Sequence, residues 1–154
     1  MEPLDDTKFS GTKEVAEHLT IEALKLQPWI DEFVPEAGKI NSIEQFKGGQ
    51  SNPTYKITTD TKSLVLRRKP PGKLLPSAHA VDREYKVITA LYETDVPVPK
   101  TYGLCEDDDV AGTAFFVMDF LDGDLFWDPM IPSVTNKDRT EIYQNKNKTL
   151  AKLH

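Results

Sequence analysis

The feature that most constrains how this chain folds is a glycine turn set between short apolar segments. The turn Gly48-Gly49-Gln50-Ser51-Asn52 follows Phe46 and leads into the alternating segment Thr54 to Thr59 and then into the run Ser63 to Arg68. Adjacent glycines permit positive φ and let a backbone approach a ligand closely. The pattern predicts an antiparallel meander whose turn either grips a phosphate or simply connects two strands.

Composition narrows the class of protein. The 154 residues are 38% hydrophobic and 29% charged, with a net charge of -6, which suits one domain, or one lobe of a larger protein, with a real core. Lys and Arg form no long basic stripe, so no nucleic-acid partner is expected. The single Cys105 excludes an internal disulfide and a Cys-rich metal site. Neither a secretory signal nor a membrane-spanning run is visible, and we expect a cytoplasmic protein.

The segment before the meander predicts helices. Residues 1–12 are polar and without pattern, whereas apolar residues recur at helical spacing from Thr12 to Val34. Pro28 suits the first turn of a helix, which predicts two short helices with the second beginning at Pro28. After a linker from Pro35 to Lys39, the first strand is predicted from about Ser42 to Phe46.

A charge pair is predicted on the third strand and the helix that follows it. A period of two places Val65 with Arg67 on one face, and Leu64 and Leu66 with Arg68 on the other. A helix is predicted from about His79 to Thr94, capped by Ser77, with a buried stripe of Val81, Glu84, Ile88 and Leu91 and with Val87 beside it.

A carboxylate on the buried side of that helix needs a partner, and Arg67 is the expected one for Glu84. At about 4 Å such a pair attracts by roughly 4 kcal/mol before desolvation, and desolvation often cancels that gain. A structural ion pair and a functional one therefore both remain open. The basic residues beyond the strand, Lys69 and Lys73, are interpreted as a solvated loop.

The rest of the chain predicts two more strands and a helix. The strands are Thr101 to Cys105 and Thr113 to Phe120, and the helix runs from Arg139 to His154. Between the strands, the acidic segment Glu106 to Asp109 lacks the alternating ligands and the glycine of a calcium loop, which favours a solvated turn.

The chain contains, in order, Gly49-Gln50-Ser51-Asn52-Pro53-Thr54-Tyr55, the run Leu64 to His79 and Arg83-Glu84-Tyr85. In order and spacing, these motifs resemble the aminoglycoside-phosphotransferase-like family, in the branch also found fused to acyl-CoA dehydrogenases. The resemblance covers about Trp29 to His154. It implies an α+β fold, namely a protein-kinase-like small lobe. That lobe has a five-stranded antiparallel sheet with a packed helix, plus N-terminal helices and the first helix of the large lobe. Residues 1–40 would form the N-terminal tail and helices, 41–120 the nucleotide-binding lobe, and 121–154 the hinge and the start of the second lobe.

The resemblance also implies roles for single residues. Arg67 would replace the lysine of protein kinases, contact the α and β phosphates of ATP and be oriented by Glu84. Val65 and Met118 would line the adenine pocket, and the backbone of Asp119 and Leu121 would meet the adenine edge. The loop over the phosphates would comprise Gly48, Gly49, Gln50, Ser51 and Asn52.

The function implied is that of an ATP- and Mg²⁺-dependent phosphotransferase, which moves a γ-phosphoryl group to a hydroxyl of a small molecule. The family's H-x-D-x-x-x-x-N loop and its Asp metal motif do not occur in these residues, so no base or magnesium ligand is nominated here. Those parts are expected beyond this sequence, since the last helix would otherwise leave an apolar side uncovered. A hydroxyacyl compound and an aminoglycoside are both possible acceptors. A catalytically inactive kinase-like binding module remains the alternative.

Overall fold

A computed structural model of the chain describes residues 10–48, 51–72 and 79–154. Within these ranges the predicted α+β class is confirmed: helices pack on an antiparallel sheet of six strands, ordered β1-β2-β3-β4-β6-β5. The strands are β1 (Thr12–Lys13), β2 (Ile40–Phe46), β3 (Thr54–Thr59), β4 (Ser63–Arg68), β5 (Thr101–Cys105) and β6 (Phe115–Asp119). The α-helices are α1 (Ala23–Phe33), α2 (Val81–Leu91), α3 (Asp108–Ala111) and α4 (Asn136–Leu153), with 3₁₀ turns at Glu17–Leu19 and Pro35–Ala37.

The sheet has one strand more than the five predicted. The extra strand, β1, pairs with the end of β2 through Thr12 opposite Phe46 and Lys13 opposite Gln45. The Thr12 hydroxyl also donates to the Glu44 carboxylate (3.0 Å). A strand of two residues is too short to show the alternation of apolar and polar residues, so only its pairing with β2 reveals it.

The prediction of a second helix beginning at Pro28 is wrong. A single helix, α1, runs through Pro28, which lies in its interior. Pro28 removes the bond that the Leu24 carbonyl would accept, but the Leu24 side chain is 90% exposed, on the side where water can replace the donor. Burial of Leu26 and Ile30 on the other side holds the helix continuous.

Other boundaries also differ from the predictions: β2 begins at Ile40 rather than about Ser42, and β6 runs from Phe115 to Asp119 rather than from Thr113 to Phe120. The acidic segment contains the short helix α3, because the Asp107 side chain accepts the Asp109 N–H (2.9 Å) as an N-cap. The helix α4 begins at Asn136 rather than Arg139, with Thr135 as its cap. The helix α2 is shorter than predicted, and its partly buried side includes Tyr85, whereas Val87 is 57% exposed. The predicted Ser77 cap lies outside the described residues.

The main core lies on one face of the sheet, beneath α1. Leu26 and Ile30 of the helix pack with strand residues such as Leu66 and Phe115, all of them fully buried. Trp29 lies edge-on to the Phe115 ring, with 5.2 Å between centroids. The opposite face carries α2, which packs against β5 and β6. None of the helices in the described ranges is long and apolar enough to cross a membrane.

The core face of the sheet includes a buried cation, Arg68, which is 3% exposed. Its guanidinium donates to the carbonyls of Ala111 and Leu19, the latter at 2.8 Å, and lies 5.2 Å from the Tyr55 ring centroid. Burial raises the pKa of the Tyr55 phenol, and the nearby Arg68 charge opposes that effect. Arg68 therefore ties the 3₁₀ turn before α1, and the helix α3, to the end of β4.

We predict that Gly103→Ala destabilises the lobe. A Cβ at this position in β5 would lie 2.9 Å from Phe33 Cδ1 and 3.0 Å from Trp29 Cζ2, so α1 would have to move off the sheet. Overpacking of this kind costs about 1–3 kcal/mol, measured as the free energy of unfolding in urea. Gly123→Ala is the matched control, because a Cβ there meets nothing within 4 Å. Equal stability of the two variants would contradict the described packing of α1 on β5.

We predict that Arg68→Met lowers the free energy of unfolding by about 2–3 kcal/mol, since two main-chain carbonyls lose a charged donor inside the core. The neighbouring Lys69→Met, at a half-buried position beyond the strand, should change it by less than about 0.5 kcal/mol. A tolerated Arg68→Met would mean that the cation is not required on the core face.

Candidate functional site

The predicted ion pair between Arg67 and Glu84 is confirmed. Arg67 projects from β4 on the face opposite the main core, and Glu84 projects toward it from the first turns of α2. Arg67 Nε donates to Glu84 Oε2 (2.5 Å) and its Nη2 to Oε1 (3.3 Å), a two-point contact between fork and carboxylate. The two side chains keep 27% and 36% of their surface exposed, so the pair is half-exposed rather than inside the core.

A third contact completes the environment of the guanidinium. Arg67 Nη1 donates to the Thr54 hydroxyl (3.0 Å), and Thr54 is the residue opposite Arg67 across the β3–β4 ladder. Thr54 in turn donates to the Asn52 carbonyl (3.0 Å). The guanidinium plane is thus fixed by β3 on one side and by α2 on the other.

Asn52, predicted to belong to the phosphate loop, uses its side chain to bind Glu84. It is 3% exposed, and its Nδ2 lies 3.1 Å from Glu84 Oε1. Its Oδ1 lies 2.9 Å from His79 Nδ1, just before α2. Of the other predicted loop residues, Gly48 is half-buried and Ser51 exposed, whereas Gly49 and Gln50 lie outside the described residues.

The predicted adenine-lining residues are brought together. Val65 on β4 and Met118 on β6 are directly opposite each other, on the same face as Arg67. Both line a cleft of about 780 Å³ whose wall continues into Leu121. The Phe46 and Phe120 rings are stacked at its mouth, with centroids 6.3 Å apart, and Lys56 Nζ lies 4.5 Å from the Phe120 centroid.

Asp119 directs its carboxylate away from this cleft. Its Oδ1 accepts from the Tyr102 hydroxyl (2.6 Å) and lies 3.3 Å from Lys62 Nζ, which also donates to Tyr102 (2.5 Å). The hydrogen bond with Tyr102, reinforced by Asp119, raises the pKa of Lys62 to about 12. Burial first, and then the hydrogen bond with Asp119, raise the pKa of Tyr102. The main-chain N–H of Asp119 is also engaged, donating to the Lys100 carbonyl (2.9 Å).

The acidic residues after β6 do not gather around a common point. Within the part of the chain that the structure describes, no group of three or more His, Cys, Asp or Glu side chains is placed to hold a metal ion. Asp122 and Asp124 line the rim of the cleft and are exposed.

Sequence reasoning missed four members of the site. The role of Thr54 follows from the β3–β4 register, which a period of two suggests but does not fix. Tyr102 and Lys62 meet only because β5 lies beside β6 at the sheet edge. His79 reaches Asn52 with a left-handed backbone (φ 57°), which nothing in the sequence around a histidine signals.

Comparisons with known proteins identify the family and the fold of the chain. Residues 42–154 match the family model described as the phosphotransferase enzyme family. A solved protein from Ralstonia eutropha JMP134, described as a candidate aminoglycoside phosphotransferase, superimposes with a TM-score of 0.71 at 42% identity, over 86% of this chain and 38% of that one. The predicted resemblance and kinase-like fold are thereby confirmed.

The curated relatives carry the names of acyl-CoA dehydrogenases. "Probable acyl-CoA dehydrogenase IBR3" of Arabidopsis thaliana is 53% identical over 73% of this chain and 14% of its own length. "Acyl-CoA dehydrogenase family member 11" of Mus musculus is 38% identical over 94% of this chain and 19% of its own length. The matched stretch is thus less than a fifth of either relative. From the family match and the fold together, the chain belongs to the phosphotransferase enzyme family.

Proposed function

We propose that this chain is the ATP-binding lobe of a small-molecule phosphotransferase that moves a γ-phosphoryl group to a substrate hydroxyl. The observation that carries the proposal is Arg67, which Glu84 and Thr54 hold on the same sheet face as Val65, a residue that lines the apolar cleft. An isolated surface ion pair would not require a cavity on the same face of the sheet, whereas Val65, two residues before Arg67, lines a cavity of about 780 Å³, a size typical for small-molecule sites.

The apolar part of the cleft suits the flat ring of adenine. Val65 and Met118 face each other across neighbouring strands and offer two adjoining apolar side chains. Because the Asp119 N–H is engaged by Lys100, the Asp119 carbonyl and the Leu121 main chain are the groups we assign to the adenine edge. The phosphate chain would then run from β6 toward β4 and the glycine turn.

Arg67 is suited to the phosphates. Its described hydrogen bonds use three of the five N–H groups of a guanidinium, and we assign the other two to phosphate oxygens. Glu84 and Thr54 hold the fork so that little side-chain entropy is lost on binding. Such preorganised charge is the main contribution of a protein to phosphoryl transfer.

Bound ATP, with Mg²⁺ as is general in this family, would supply the phosphoryl group. No H-x-D-x-x-x-x-N loop occurs in the printed sequence, so we assign to these residues the grip on the nucleotide and not the proton transfer. The acceptor class is proposed as a hydroxyl-bearing small molecule. A hydroxyacyl compound is suggested by the dehydrogenase-named relatives, and an aminoglycoside by the solved neighbour. We place the protein in the cytoplasm.

The direct test is to titrate the ¹⁵N-labelled chain with ATP and to measure the amide chemical shifts at each ATP concentration. We expect shifts that saturate and that are largest at Val65, Arg67 and Leu121. Shifts spread evenly over the surface would overturn the assignment of the cleft. A second experiment measures phosphoryl transfer by a protein in which this lobe is followed by an H-x-D-x-x-x-x-N loop. If the lobe binds ATP and that protein transfers no phosphoryl group, the alternative hypothesis of an inactive binding module is correct.

We predict that Arg67→Gln weakens ATP binding at least about tenfold, because a charge-assisted phosphate contact is worth 1.4 kcal/mol or more. Stability should fall only on the order of 1 kcal/mol, since both partners are partly exposed and Asn52 still donates to Glu84. Lys69→Gln, two residues along, is the charge-matched control and should bind ATP like the unchanged chain. Global unfolding of Arg67→Gln would instead support a purely structural ion pair.

We predict that Val65→Phe abolishes ATP binding, by filling the space beside Met118. Val65 is 7% exposed and lines the cleft, whereas Val87, at 57% exposed on α2, offers the same substitution at an open position. Binding should be lost for Val65→Phe, and its midpoint should change less than about twofold for Val87→Phe. Far-ultraviolet circular dichroism checks that both variants fold. Folded Val65→Phe with unchanged ATP affinity would exclude this wall as the adenine site.

A further inference from the structure

His79 lies at the start of α2, beside the buried Asn52 that contacts Glu84. A hydrogen-bonded row runs from His79 Nδ1 to Asn52 Oδ1 (2.9 Å), from Asn52 Nδ2 to Glu84 Oε1 (3.1 Å), and from Glu84 Oε2 to Arg67 Nε (2.5 Å). This row links His79 to Arg67, the cation that shares a strand face with the cleft residue Val65.

The donors in this row can be assigned by elimination. Glu84 is paired with Arg67, and an ionised carboxylate only accepts hydrogen bonds. Asn52 must therefore present its NH₂ group to Glu84, which turns its carbonyl oxygen toward His79. An amide oxygen also only accepts, so the proton on the His79 ring must be on Nδ1.

The backbone of His79 indicates that this position is constrained. Its φ of 57° lies in the left-handed region, which a non-glycine residue occupies at a cost of about 1 kcal/mol or more. The helix α2 has no side-chain cap, since Ala80 stands at its N-cap position, and the His79 carbonyl accepts from the Val81 N–H (2.9 Å). The strained residue thus begins the helix that carries Glu84, while its ring points to Asn52.

We propose that His79 is a positioning residue, which as the Nδ1–H tautomer holds the Asn52 amide so that Asn52 and Arg67 together fix the Glu84 carboxylate. Its effect on nucleotide binding rests on the function proposed above. Without the ring, the Asn52 amide is free to rotate, Glu84 loses a donor fixed in direction, and Arg67 is held less firmly. His79 itself touches neither phosphate nor adenine in this scheme.

The tautomer is tested on the ¹⁵N-labelled chain by long-range ¹H–¹⁵N correlation of the histidine rings at about pH 8. The exposed His18 and His154 are the internal references. We expect a protonated Nδ1 on His79 alone. A His79 ring protonated on Nε2 would overturn the proposal, whatever the chain does with ATP.

Two substitutions separate the ring from the backbone. His79→Gly removes the ring and relieves the positive φ, so a purely conformational role predicts unchanged or higher stability and no further effect. His79→Asn keeps an N–H close to the place of Nδ1–H and tolerates the left-handed region. We expect exchange of the Arg67 Nε–H proton to be at least about fivefold faster in His79→Gly, with return to within about twofold in His79→Asn.

ATP binding by the same variants gives the functional result. The midpoint of the titration should rise about tenfold for His79→Gly and recover in His79→Asn. Unchanged Arg67 exchange in His79→Gly would overturn the positioning role. Faster Arg67 exchange in a chain that never responds to ATP would uphold the positioning of Glu84 by His79 and would overturn the proposed function instead.

Discussion

The contact between Arg67 and Glu84 is the interaction on which the orientation of the candidate site depends. It joins α2 to the sheet on the face that the main core does not occupy. Apolar contacts also hold α2, such as that between Tyr85 and Phe116, with centroids 6.1 Å apart, but they fix no direction for a charge. The Arg67 guanidinium and the Glu84 carboxylate do fix that direction, because their two N–H···O contacts set both the distance between the groups and the plane that they share.

The sequence was sufficient to predict this pair because two periodicities had to agree. A period of two placed Arg67 with Val65, and a helical period placed Glu84 with Val81 and Ile88. Neither periodicity depends on where the strand or the helix ends. Errors in the predicted ends of α2 therefore did not affect the prediction of the ion pair. The same reasoning failed at Pro28, where the burial of Leu26 and Ile30 outweighs the local preference of proline for a helix start.

The parts of the site that escaped prediction depend on distant neighbours in the fold. The resemblance gave a role only to the backbone of Asp119, and the partners of its carboxylate, Tyr102 and Lys62, come from separate segments of the chain. Their meeting follows from the order of the strands, which no local pattern encodes. The left-handed backbone of His79 is likewise imposed by its surroundings.

The adjacent residues Arg67 and Arg68 give the end of β4 a property that neither has alone. A slip of the strand by one position would exchange their faces, placing Arg67 in the apolar core and turning Arg68 out toward the cleft. Arg68 is bound in the core by two carbonyls and an aromatic ring, so such a slip would abandon all of these contacts at once. The buried Arg68 thus fixes the register of β4 and, with it, the face of the sheet on which Arg67 lies.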